Sequence, residues 1–237
     1  MDDLLLATEA IAAGRVTRND LRRRYVKVHR NVYARRGVEL TARDRAMAAW
    51  LWSGREAVLV GQSAAALLGT KWISAEEPAE VARVRYPSPP GIVVRSGVID
   101  DRDVQRIGDL ACTGVARTAY DIGRRTSLDR AVMRIDALLN RTRVPVSAVD
   151  AVAERYPGAR GIRTLRRALA LVDSGAESPQ ETTLRLVLVR SGLPRPQTQV
   201  PVLDQRGRVV RRVDLGWPQW LVGVEYDGAH HFTDAGQ

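Results

Sequence analysis

The sequence is poor in cysteine. It holds Cys112 alone in 237 residues, which excludes an internal disulfide and fits a reducing cytoplasm. Cys112 stands among apolar and small residues, where packing rather than nucleophilic chemistry is expected. No apolar run reaches membrane-spanning length, and the acidic start Met1-Asp2-Asp3 lacks the positive n-region of a signal peptide. A membrane partner is therefore not expected. No Gly-Lys-Ser/Thr follows the small-residue phrase Gly61–Gly69, so it is read as a close helix contact and not as a phosphate-binding loop. There are no internal repeats and no low-complexity tract.

Positive charge is abundant. Lys and Arg total 37 against 27 acidic residues, a net charge of +10, and nearly all the cations are arginine. A high-GC coding bias accounts for choosing Arg over Lys but not for the excess. Guanidinium forks pair well with phosphate, so nucleic acid is the first partner to consider. The length allows two or three small domains, and 45% apolar residues are enough for a packed core.

Two short, mostly apolar runs near the C-terminus, Arg211–Pro218 and Trp220–Gly228, each carry acids where a buried strand carries Val or Ile. Glu225 and Asp227 are two apart and would share one face of a strand. Desolvating such carboxylates is costly unless a positive group sits beside them. A divalent cation, Mg²⁺ or Mn²⁺, would meet that need through hard oxygen ligands. The alternative is that Asp227-Gly228 is a turn and Glu225 pairs with an arginine. Upstream, Ser178-Pro179-Gln180-Glu181 reads as a helix start with Ser178 as N-cap. Glu181 is either the capping carboxylate or a third acid of the same site. A strand over Gln197–Leu203, a turn at Gln205-Arg206-Gly207 and a strand ending at Asp214 complete the block.

This block resembles the restriction-endonuclease-like PD-(D/E)XK nucleases, in the branch related to very-short-patch-repair endonucleases. The matching residues are Ser178, Pro179, Glu181 and Arg185, then Gly192, Leu193, Pro194, Pro196 and Gln199. Arg212, Val213, Asp214, Leu215, Trp217 and Pro218 follow, and Val224, Glu225, Tyr226, Asp227, Gly228 and His231 close the pattern. The resemblance implies Mg²⁺-dependent phosphodiester hydrolysis of DNA. Asp214 and Glu225 would hold the metal, with Glu181 reaching it directly or through water. Asp227 or His231 would orient or deprotonate the water, because the family's usual lysine is absent. In that family a further helix and a fourth strand follow; the sequence stops at Gln237, so the implied nuclease block is incomplete and its activity is not assured.

At the other end, helical spacing over Leu4–Ala13 and a short helix capped by Thr17 precede two strands, Tyr25–Val28 and Val32–Ala34. Two helices and a hairpin outline a winged helix-turn-helix. Arg18, Arg22, Arg23, Arg24, Lys27 and Arg30 cluster on it, suited to phosphate contacts. The phrase Arg30-Asn31-Val32-Tyr33-Ala34-Arg35-Arg36-Gly37 resembles the N-terminal domain of AbiEi-type antitoxins. That resemblance implies a regulator of type IV toxin–antitoxin kind, with a toxin or other gene product as partner. The middle of the chain is similar to the region linking such a head to a nuclease-like tail in actinobacterial proteins. Arg163, Arg166 and Arg167 stud a helix over Ile162–Val172, either as a solvated face or as a track for a DNA backbone.

The expected class is α/β, α+β overall. Its parts are a winged-helix head (1–38), a central α+β and helical region (39–175), and a truncated nuclease-like α/β/α sheet (176–237). Asp173–Glu177 is read as the linker into the last part.

Overall fold

The computed structural model describes residues 3–83, 87–97 and 99–227. Helices and mixed sheets give the α+β fold expected. The chain divides into two compact units, Met1–Asp121 and Ile122–Gln237. Neither expected boundary, at 38/39 or at 175/176, coincides with this division.

The first unit opens with a strand. The three leucines Leu4–Leu6 form β1, and only Ala7–Ala12 is helical (α1), which corrects the helix expected over 4–13. Leu4 and Leu6 pair with Ala34 and Val32, so their side chains share the sheet face that carries buried Val32 and Ala34. Tertiary pairing here overrides the helical spacing. Helix α2 spans Arg18–Arg24, started by a reciprocal capping box between Thr17 and Asp20. The hairpin follows as β2, Tyr25–His29, and β3, Val32–Arg35, in a three-stranded antiparallel sheet of order β1-β3-β2.

Asn31 makes the hairpin turn at φ +65, a conformation that asparagine tolerates better than most residues. Its side chain accepts from Thr8 N at 3.1 Å and donates to Thr8 Oγ1 at 2.9 Å. Its carbonyl accepts from Ala7 N. One residue therefore turns the hairpin and ties it to the start of α1.

Helix α3, Ala42–Trp52, starts from a second capping box, Thr41 with Asp44. It serves two cores. Ala48 packs with Leu6 and Val32 of the small sheet, while Ala46, Ala49 and Trp50 pack with Leu59, Val81 and Cys112. This double use explains why no boundary falls after residue 38. The second core lies on a five-stranded mixed sheet of order β6-β5-β4-β8-β7. Its strands are β4 (Val58–Leu59), β5 (Ala79–Ala82), β6 (Ile92–Arg95), β7 (Val104–Ile107) and β8 (Leu110–Thr113).

Helix α4, Gly61–Leu67, is buried along its whole length. A Cβ on Gly61 would lie 2.5 Å from Glu80 Oε1, the oxygen that accepts from Gln62 N. The small residues there serve close packing, as expected. Cys112 is buried, and burial pushes its thiol pKa up, in keeping with a packing role. Helix α5, Val115–Arg125, carries Arg117, which pairs with Asp121 at 3.0 Å and with Asp103 at 2.7 Å.

The second unit contains α6 (Leu128–Thr142), α7 (Val146–Arg155), α8 (Ile162–Leu169) and α9 (Pro179–Arg190). The antiparallel sheet β9 (Gln197–Leu203), β10 (Val209–Trp217) and β11 (Val222–Val224) follows, with β10 central. The expected linker is a tied turn. Asp173 Oδ1 accepts from Gly175 N and from Thr198 Oγ1, and Asp173 N donates to Asp136 Oδ1 at 2.7 Å. Among the described residues no helix is long and apolar enough to cross a membrane.

Candidate nucleic-acid interface and carboxylate site

In the head, α2 and the hairpin line an open groove of about 670 Å³. Helix α2 contributes Arg18, Leu21 and Arg22; the hairpin contributes Tyr25, Lys27 and Tyr33, and Arg36 lies just past β3. Lys27 stands directly opposite Tyr33 in the register, and Tyr25 is two residues from Lys27, so all three side chains occupy one sheet face. Leu21 is the only buried residue of α2, which leaves its arginines to solvent. Arg36 N donates to Arg24 O at 2.8 Å, and Arg36 Nη2 donates to Arg22 O at 3.3 Å. These bonds fix the C-terminal end of α2 against the end of the hairpin.

Among the described residues no acid lines the groove. Four cations sharing one concavity repel one another, and a polyanion relieves that repulsion. Of the other expected contacts, Arg23, Arg24 and Arg30 are exposed but do not line the groove. Arg24 lies 3.8 Å from Asp20 within its own helix. In the second unit Arg163, Arg166 and Arg167 are exposed on α8, whose buried residues are Leu165, Ala168 and Leu169.

The carboxylates of the second unit have protein partners, among them those that the non-metal alternatives named. Ser178 caps α9, accepting from Glu181 N. The Glu181 side chain, almost fully buried, accepts from Ser178 Oγ at 2.9 Å, from Glu177 N at 2.9 Å and from Gln199 Nε2 at 3.2 Å. Glu225 and Asp227 lie beyond the end of β11, which corrects the strand expected to carry both. Glu225 accepts twice from Arg211 Nη2, at 2.6 and 2.8 Å, as the arginine-paired alternative required. Asp214 sits inside β10 and accepts from Tyr226 N at 2.9 Å.

Both oxygens of Glu181 are thus occupied by donors, and Glu225 is turned to a guanidinium. Among the described residues no group of three or more His, Cys, Asp and Glu side chains is placed to hold a metal ion. In this arrangement Glu181, Asp214 and Glu225 do not form one ligand set for Mg²⁺ or Mn²⁺. His231 lies outside the described residues.

Two features escaped the sequence reading. Gln199 adopts φ +51 inside β9, at the point where the paired residues Val200–Val213 and Thr198–Leu215 bracket it and Asp214. A left-handed glutamine in a strand is strained, and its side chain donates to Glu181 Oε2 at 3.2 Å. The second feature is a buried pair. Arg185 Nη2 donates to Asp136 Oδ2 at 2.5 Å, and each side chain is at most 2% exposed. Thr182 Oγ1 also donates to Asp136, and Arg185 Nη1 donates to Leu171 O. The signal was present: Asp136 falls among Val132, Ile135 and Leu139 on the apolar side of α6, where an acid needs a partner.

No family model matches the chain. The chain is similar to two proteins of Mycobacterium tuberculosis strains, the uncharacterized proteins MT2308 and Rv2248. Each is 32% identical over 207 residues, spanning 85% of this chain and 73% of the relative. The chain belongs to the family of these mycobacterial proteins.

Proposed function

We propose that the protein binds DNA through its head and acts in the cytoplasm as a non-catalytic regulator of antitoxin type. The observation that carries this reading is the groove between α2 and the hairpin, with Arg18, Arg22, Lys27 and Arg36 on its lining and no acid among them. The resemblance of Arg30–Gly37 to AbiEi-type antitoxins supports the regulatory role and makes a toxin-like gene product the protein partner to seek.

Binding that depends on phosphate neutralisation releases counterions, so affinity falls steeply with salt. The test is anisotropy of labelled DNA, duplex and single-stranded, across a salt series. The double variant Arg18→Ala, Lys27→Ala is expected to weaken binding and to flatten the slope of log K against log salt by about one for each cation removed. Salt-insensitive behaviour, or no binding of either DNA form, would sink the proposal.

A second reading is the metal-dependent nuclease implied by the PD-(D/E)XK resemblance. One observation favours it: the antiparallel order β9-β10-β11 puts Asp214 in the central strand, with Glu181 bonded to Gln199 on the neighbouring strand. It requires Glu225 to leave Arg211. Plasmid cleavage by the parent with Mg²⁺ or Mn²⁺, lost in Asp214→Asn, would support it, and cleavage retained in Asp214→Asn would remove Asp214 from that role.

A further inference from the structure

We infer that the groove of the head takes unpaired nucleotides, so that the preferred ligand is DNA with a single-stranded segment. The inference rests on the proposal that the head binds DNA and specifies which form.

The groove offers aromatic surface besides charge. Tyr25 and Tyr33 lie on the same sheet face as Lys27 and line the groove with it. Two phenol rings beside four cations gain little from a duplex. A duplex presents phosphates and groove edges outward and keeps its base faces stacked within. Unpaired bases expose those faces, and every base has one to stack on an aromatic ring. The cations Arg18, Arg22, Lys27 and Arg36 then meet the strand's phosphates, the combination of charged groove and stacking rings that suits single strands.

The geometry of the helix agrees. Helix α2 has seven residues, about 10 Å in length. Its arginines Arg18 and Arg22 sit one turn apart and line the same groove as the tyrosines. The groove is open to solvent and holds about 670 Å³, room for one or two flexible nucleotides.

The test uses the full chain with a labelled oligothymidylate and a blunt mixed-sequence duplex, at equal salt. The parent is expected to bind the oligothymidylate more tightly. Tyr33→Leu and Tyr25→Leu should each weaken single-strand binding roughly ten-fold and duplex binding by a much smaller factor, while Tyr33→Phe keeps single-strand affinity. An oligonucleotide carrying 5-iodouracil gives a readout without substitution: irradiation should crosslink it to the peptide holding Tyr25 or Tyr33. The inference is overturned if the duplex binds as tightly as the single strand, if the leucine variants match the parent, or if the crosslinks map elsewhere. In those cases salt-dependent duplex binding leaves the DNA-binding proposal standing. Failure of both ligands to bind overturns the two together.

Discussion

The carboxylate of Glu225 rests on Arg211, whose Nη2 donates to both of its oxygens. Both side chains are well exposed, so solvent screens the pair and its contribution stays within about 1 kcal/mol. Glu225→Gln is therefore expected to shift a urea denaturation midpoint only slightly and to leave DNA affinity unchanged. A loss of several kcal/mol would show that this carboxylate has a stronger partner than Arg211.

Glu181 presents the opposite case. Its buried carboxylate serves two donors near the start of α9 and the side chain of Gln199. Glu181→Ala leaves Glu177 N and Gln199 without this acceptor and is expected to cost about 1–3 kcal/mol. Glu181→Gln should retain part of that, since its carbonyl oxygen still accepts. Thermal melts of the two variants check the order.

Asn31 should be sensitive to any substitution. Asn31→Ala loses both side-chain bonds to Thr8 and places alanine at positive φ, with an expected cost of about 1–3 kcal/mol. Asn31→Gly relieves the backbone but not the lost bonds, so its stability should fall between those of the parent and Asn31→Ala. Chemical denaturation of the three proteins measures this.

The pair of Asp136 and Arg185 gives a pH dependence. Burial pushes Asp136 up to about 6, against the opposing pull of Arg185 and of the hydrogen bonds from Asp173 N and Thr182. A carboxyl whose folded pKa is raised above its unfolded value contributes stability that is fully present below the unfolded pKa. That contribution is lost as pH rises through the folded pKa. The Asp136 contribution should therefore decline from about pH 4 to about pH 6. Carbon NMR of the Asp136 carboxyl should titrate near the upper end of that window. Asp136→Asn, which carries no titrating charge, should remove this part of the pH slope, read as the change in stability between about pH 4 and about pH 7.

Local chemistry made much of the chain legible in the sequence. Thr17 and Ser178 mark helix starts because their hydroxyls accept from the first turn's N–H groups, and this is decided within four residues. The strand over Gln197–Leu203 was readable from its own run of residues. The basic character of the head was also plain from composition.

What the sequence did not contain was the choice among distant partners. Leu4–Leu6 became a strand because Val32 and Ala34 offered a buried edge. Helix α3 joined two cores because small alanines on different faces let both approach. Glu225 met Arg211, Glu181 met Gln199, and Asp136 met Arg185 across 49 residues of sequence. Each acid announced in the sequence that it needed a cation or a donor, since burying it alone is costly. Only the tertiary structure, by fixing which donor arrives within hydrogen-bond reach, decided which partner each acid received.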